Sequence, residues 1–244
     1  MSSTQPNGLP TDDRPLPDPV LAAELAAAAE RLDGAPAEEI IRWSFERFGP
    51  DCVVATSYQD PVLVDLVVRA VGKATVVFLD TKAHFAETLL YMKQLEELLG
   101  LETTILQPGP DAENWPCGTD RCCEFRKVRP LRRFLADKPA WITGIKRVDT
   151  PERAKAPVVS WDSTFGLAKV NPLAAWTEDD IDAYMASRGL PAHPLWAFGY
   201  RSIGCAPTTS PIAPGADPRR GRWGGAKTEC GLHLPPSGPK DTNR

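Results

Sequence analysis

The sequence predicts an α/β protein, a parallel sheet with helices on both faces followed by an irregular C-terminal segment. Three observations carry that expectation. Short β-branched runs alternate with longer helix-forming stretches through the middle of the chain, the pattern of strand–helix–strand units. Thr75–Leu79 (Thr-Val-Val-Phe-Leu) is apolar without alternation, as a strand covered on both faces requires. Beyond Gly189, Pro, Gly and Arg dominate and no period survives.

Taken in order, residues 1–18 are rich in Pro, Ser and Asp with almost no apolar content, and read as a disordered tail. The Ala/Leu/Glu stretch Val20–Leu32 predicts a helix. Ala37–Phe48 predicts a second, with Ile40, Ile41, Trp43, Phe45 and Phe48 near one face. Cys52–Thr56 predicts the first strand, Ser57-Tyr58-Gln59-Asp60 a turn, and Pro61 the first residue of a helix to Val71. Thr75–Leu79 is the second strand, Phe85–Leu99 a long helix, Leu101–Leu106 a strand, Cys122–Leu135 a helix, and Trp141–Ile145 the last strand of the series. Thr177-Glu178-Asp179-Asp180 reads as a cap with an acidic first turn, opening a helix to about Ser187. The resulting division is a tail over 1–18, an α/β nucleotide-binding domain over 19–189, and a flexible C-terminal region over 190–244 carrying Cys205 and Cys230.

A chain of 244 residues can bury a full core, and 42% hydrophobic with 25% charged residues marks the soluble globular class. The formal net charge of −4 argues against nucleic-acid binding through a global basic field, so any polyanion site is a local cluster. No stretch approaches the apolar length of a membrane span. The N-terminus lacks the basic start and apolar run of a secretion signal, and the expected location is the cytoplasm. In that reducing setting the six cysteines, at 52, 117, 122, 123, 205 and 230, read as metal ligands, catalytic thiols or buried side chains rather than disulfides.

Ligands of α/β sheets sit past the carboxyl ends of the strands. Two polar turns lie there, Ser57–Asp60 and Asp80-Thr81-Lys82. The first leads into a helix N-terminus, which favours an anion, although a plain helix cap fits it as well. Cys122-Cys123 has two readings: thiolates for an iron–sulfur centre, or one buried and one partly exposed thiol with no joint role. Arg126, Lys127, Arg129, Arg132 and Arg133 follow it, and Arg219, Arg220 and Arg222 lie in a Pro/Gly-rich loop. Each run reads as solvated surface charge or as forks for phosphate and sulfate oxygens. Cys230 sits in a polar segment near Lys227 and His233. Cationic neighbours lower a thiol's pKa, which favours a nucleophile over a metal ligand or an idle exposed thiol.

Together these segments resemble the adenylyl-sulfate and phosphoadenylyl-sulfate reductases, most closely the assimilatory adenylyl-sulfate branch. The resemblance runs from about residue 50 to His233. It includes Ser57–Asp60, Phe78–Thr81, His84–Thr88, Cys122-Cys123 with Arg126-Lys127, and Trp141–Gly144. It continues through Lys169–Leu173, Ser202–Cys205 and Glu229–His233. It implies the adenine nucleotide alpha-hydrolase-like (Rossmann-like) fold. Ser57 and Gln59 would lie on the phosphate-binding turn, Leu79 and Gly144 around the nucleotide, and Lys127, Arg153, Arg219, Arg222 and His233 around the phosphosulfate. Cys230 matches the nucleophile, carried over adenylyl sulfate by the C-terminal segment and later presented to thioredoxin or a similar dithiol donor. A homo-oligomer is compatible with the sequence but not specified by it.

The resemblance also implies a [4Fe–4S] cluster held by a Cys-Cys pair and a later Cys-x-x-Cys. Cys122, Cys123 and Cys205 match, but Thr208 stands at the fourth position. Three readings stay open: another group completes the fourth iron, the centre is a three-iron or labile form, or it is absent. Cys117 reads foremost as a plain loop thiol, with replacement ligand as its alternative. The rival functions are phosphoadenylyl-sulfate reduction, a pyrophosphatase-like nucleotide enzyme whose loop glycines are missing at Ser57–Asp60, and a non-catalytic iron–sulfur protein.

Overall fold

The computed structural model describes residues 16–227, 229 and 232. Cys230, His233 and residues 1–15 of the predicted tail lie outside the described residues.

Two helices open the fold, α1 (Pro19–Leu32) and α2 (Ala37–Phe48). Asp18 starts the first by accepting the Leu21 N–H at 2.8 Å, which satisfies one of the free donors of a helix start. The alternation then unfolds as predicted: β1 (Val53–Thr56), α3 (Val62–Val71), β2 (Thr75–Leu79), α4 (Ala86–Leu99) and β3 (Thr103–Leu106). A short helix α5 (Asp120–Cys123), a π-helical turn (Glu124–Val128) and α6 (Arg129–Phe134) lead to β4 (Ala140–Thr143). Two strands, β5 (Val159–Asp162) and β6 (Leu167–Val170), precede α7 (Glu178–Arg188). The predicted cap on α7 is a full capping box between Thr177 and Asp180.

The six strands lie in the order β3-β2-β1-β4-β6-β5, all parallel except β5, which pairs antiparallel with β6. Chain order runs outward from β1 to β3 and then returns to β4 on the other side of β1. The sheet therefore has its topological switch point between β1 and β4, where open α/β sheets bind ligands. The pleat divides the core in two. Val54, Val76, Phe78 and Ile142 face a cluster with Ile40, Ile41, Leu66, Tyr91 and Ile181 from α2, α3, α4 and α7. Their neighbours Val53, Val77 and Trp141 face Val128, Leu131 and Leu135 on the opposite side. Burial on both faces is why these strands read as continuous apolar runs.

Two expectations are corrected. Cys122–Leu135 is not one α-helix, because the hydrogen-bond ladder slips to i→i−5 at Arg129, whose N–H reaches Glu124 O. Pro130 has no N–H to offer Arg126, so the ladder gives way just before it. Nor does the sheet end at residue 145: β5 and β6 form an edge hairpin around Asp162–Leu167. Residues 190–227 contain short 3-10 turns, with Ser202, Ile203, Cys205, Thr209 and Arg222 buried.

Candidate active site

The turn after β1 is held in an unusual shape. Tyr58 adopts a left-handed backbone (φ 53°), uncommon for a bulky residue. It is anchored by complete burial of its ring and by a hydrogen bond from its N–H to Thr56 Oγ1 at 3.1 Å. The phenol also meets Thr103 Oγ1. With Tyr58 pulled into the core, Ser57 and Gln59 project toward the cleft at the switch point, where both line the cavity. Gln59 Oε1 accepts the Ile203 N–H at 3.0 Å, tying the C-terminal segment to this turn. Asp60 caps the first turn of α3 through the Val62 N–H at 3.1 Å. Burial raises its pKa, opposed by Lys146.

The other expected contacts arrive from separate elements. Leu79 ends β2, Gly144 follows β4, Lys127 comes from the π-helical turn, and Arg153 from the 3-10 turn after β4. Arg219 and Arg222 come from the 218–222 loop. All of them line the same cavity as Ser57 and Gln59, and Leu232 lines it too. Of the expected residues, only Cys230 and His233 have no described position.

Positive charge is built in carefully here. Arg222 is buried and lies over the Trp223 ring at 4.5 Å. A Cβ on Gly204 would meet its guanidinium at 2.1 Å, so any larger residue there would shift the arginine from this position. Lys127 and Arg222 are close enough to His84 to oppose its protonation. Burial, the largest effect, lowers its pKa, while the Leu79 carbonyl, which its Nε2 meets at 2.8 Å, raises it. Arg153 pairs with Asp149 at 2.7 Å and with Glu229, whose carboxylate also accepts the Thr150 hydroxyl at 3.0 Å and lies 3.7 Å from Arg219. Two further groups belong to the wall and were not singled out from sequence. Ser202 Oγ is buried there without a protein partner. Lys146 is paired with Glu178 at 2.6 Å and Asp149 at 3.4 Å.

The cysteines gather beside this cleft. Cys122 and Cys123 are buried at the end of α5, which Thr119 caps by accepting the Cys122 N–H at 3.1 Å. Cys205 is buried, bridged to His84 through the backbone, and lies 3.3 Å from Thr81 Oγ1. Arg126 donates to the Thr81 carbonyl at 2.6 Å, linking the cysteine helix to the same loop. Cys117, expected foremost as a plain loop thiol, is exposed on the turn before α5. Partial burial and then the Cys205 and Cys122 thiols push its pKa up to about 11. Thr208 Oγ1 donates to the Cys205 carbonyl at 3.3 Å. Among the described residues no three His, Cys, Asp or Glu side chains converge on a single ion-sized point.

Residues 51–211 match the phosphoadenosine phosphosulfate reductase domain. The chain belongs to that family. Among curated members of the reductase family, the adenosine 5′-phosphosulfate reductase of Mycolicibacterium smegmatis is 44% identical over 236 residues, covering 86% of this chain and 95% of its own. The namesake from Mycobacteroides abscessus is 45% identical over 223 residues, covering 86% and 94%. Among solved structures, the phosphoadenylyl-sulfate reductase of Candida auris superposes with a TM-score of 0.67 at 22% identity, covering 80% of this chain and 98% of that one. The FMN adenylyltransferase of Candida glabrata superposes at 0.57 and 16% identity, covering 77% and 65%. Both likenesses speak for the shared fold alone.

Proposed function

We propose that this chain reduces adenylyl sulfate to sulfite and AMP in assimilatory sulfate reduction, with Cys230 as nucleophile and thioredoxin or a similar dithiol as donor. The observation that carries the reading is the convergence of Ser57, Gln59, Leu79, Lys127, Gly144, Arg153, Arg219 and Arg222 on one cleft at the switch point, with Leu232 against it. The names of the 44–45% identical relatives support the choice of adenylyl sulfate.

The substrate is an anion attacked by an anion, so the barrier falls most where fixed positive charge meets the charge that builds up. In this reading Ser57 and Gln59, at the start of the ten-residue helix α3, hold the nucleotide phosphate with help from its free N–H groups. Leu79 and Gly144 flank the nucleoside. Lys127, Arg153, Arg219, Arg222 and His233 surround the phosphosulfate. The Cys230 thiolate attacks sulfur, an S–S bond forms, the S–O bond to phosphate breaks, and AMP leaves. One thiolate of the donor then attacks Cys230 Sγ and releases sulfite, and Cys230 ends on the donor as a mixed disulfide. The donor's second thiol closes its own disulfide and frees Cys230. Both electrons come from the dithiol.

The reading includes a [4Fe–4S] cluster on Cys122, Cys123 and Cys205. The donor set supports it, since Cys122, Cys123 and Cys205 are buried thiols from two distant segments, linked through Arg126 and Thr81, and none is in a disulfide among the described residues. Cluster thiolates each serve a separate corner iron, so their sulfurs need not converge as they would on one ion. Bound there, the cluster would supply structural cross-linking and local charge next to the sulfate pocket. Unpaired thiols of this kind suit the cytoplasm.

The test is sulfite release from adenylyl sulfate with thioredoxin, for the wild type and Cys230→Ser. The expected result is turnover by the wild type and a loss of at least about 1,000-fold in the variant. Equal activity in both removes the nucleophile assignment, and faster turnover of phosphoadenylyl sulfate changes the substrate.

A further inference from the structure

Thr208 stands where a thiolate is missing, and its surroundings show what it does instead. Its hydroxyl is committed to the Cys205 carbonyl at 3.3 Å. Its methyl group faces the 117–118 turn, so that a Cβ on Gly118 would lie 3.0 Å from Thr208 Cγ2. An oxygen donating to its own 3-10 turn is poorly placed to bind iron, and hydroxyl is a harder ligand than iron–sulfur chemistry prefers. Thr208 is packing, and what it packs against is the residue following Cys117.

The loop before α5 is shaped to return a thiol to this spot. Pro116–Thr119 is a reverse turn closed by the Thr119 N–H to Pro116 O bond at 3.3 Å, and the Thr119 hydroxyl adds a second bond to the same carbonyl at 2.9 Å. Gly118 occupies the position that needs φ near +80°, with φ +94°. Any side chain there would be strained and would strike Thr208. The turn places Cys117 five residues before Cys122 and next to Gly118, which lies against Thr208, the residue whose hydroxyl is bonded to the Cys205 carbonyl. On the other side of Cys205, the Ala206 N–H to Ala83 O bond at 2.7 Å holds its segment in place. Four thiols are thus collected by two anchored segments, where the family pattern would take two from each.

We propose that Cys117 supplies the fourth thiolate of the [4Fe–4S] cluster, with Cys122, Cys123 and Cys205, so that the second ligand of the distal pair has moved to the turn before the Cys-Cys helix. The inference rests on the cluster reading above. It adds that Thr208 is no defect: a cysteine there and one at 117 would compete for one corner, and the methyl of Thr208 supports the turn that delivers the replacement.

The experiment is iron and acid-labile sulfide content, with the visible and electron paramagnetic resonance spectra, on anaerobically prepared full-length protein. The wild type is expected to hold about four irons per chain, and Thr208→Val, which removes the hydroxyl and keeps the methyl, to match it. Cys117→Ala is expected to fall to about three or fewer, with a changed spectrum, and Cys117→Ala/Thr208→Cys to recover about four. Recovery in the double variant also shows that the loss is not misfolding. Four irons in both wild type and Cys117→Ala would overturn the assignment of Cys117 while leaving the cluster. A wild type without iron after anaerobic reconstitution would overturn the cluster reading itself, and this inference with it.

Discussion

His193 shows how much one buried side chain can impose. It is 1% exposed, packed edge-on against Tyr91 with ring centroids 5.0 Å apart. Nδ1 accepts the Leu195 N–H at 3.2 Å, so the proton sits on Nε2, which donates to Thr88 Oγ1 at 3.0 Å. Burial lowers its pKa to about 4, with Glu87 opposing. The folded value lies below the unfolded one near 6.5. The unfolded chain therefore binds the proton first, and stability present above pH 6.5 is lost as pH falls toward 4. Between pH 7.5 and 5 this group alone should remove about 2 kcal/mol. Urea unfolding at the two values, for the wild type and His193→Gln, checks it: the variant should lose about 2 kcal/mol less over that interval, and equal losses would refute the account. Nothing about His193 was legible in the sequence, where it is one histidine in a Pro-rich stretch. Lys127, the arginines and the cysteines stood out as candidates because their chemistry is announced by residue type. Cys117 stood in the sequence only as an alternative ligand, because its proposed role depends on a turn that Gly118 makes and on Thr208 far along the chain.

At the scale of elements, the parallel strands were legible because burial on both faces leaves an unbroken apolar run. The edge hairpin was hidden for the opposite reason. β6 reads Leu-Ala-Lys-Val and β5 Val-Ser-Trp-Asp, each interrupted by a charge. Those charges are a pair: Lys169 Nζ lies 3.3 Å from Asp162, both residues are 8% exposed, and the ammonium sits 4.9 Å from the Trp141 ring. Asp162 also accepts the Thr164 N–H at 3.0 Å, shaping the turn. Breaking a buried pair from one side leaves an uncompensated charge, whereas replacing both partners by apolar groups is near neutral. Asp162→Ala should therefore cost about 3 kcal/mol in urea unfolding, and Asp162→Ala/Lys169→Met should recover most of it. A single-variant loss within about 0.5 kcal/mol would place the pair among ordinary surface contacts. The π-helical turn was equally hidden, although its cause, Pro130 inside a basic helical stretch, stood in the sequence.

Across the whole molecule, the C-terminal segment is fastened where the substrate's anionic end would lie. Glu229 is buried and joins Thr150, Arg153 and Arg219, which belong to loops separated by more than sixty positions of chain. Its carboxylate balances part of the positive charge collected from Lys127, Arg153, Arg219 and Arg222 on one cavity. That balance stabilises the closed arrangement of residues 216–227 and Glu229 and also competes with any incoming anion for the same guanidinium groups. Glu229→Gln keeps the shape and one acceptor but removes the charge, so the segment should open more often. About 1.4 kcal/mol of lost closure is tenfold in the open population. Trypsin should therefore cut at Arg219, Arg220 and Arg222 about ten times faster in the variant when cleavage is slow relative to reclosing. Inorganic sulfate supplies the missing negative charge without supplying a tail. It should slow cleavage of Glu229→Gln toward the wild-type rate, while protecting the wild type less because there it must displace the glutamate. Equal cleavage of the two proteins, with no response to sulfate, would mean that contacts other than the charge of Glu229 hold this end of the chain.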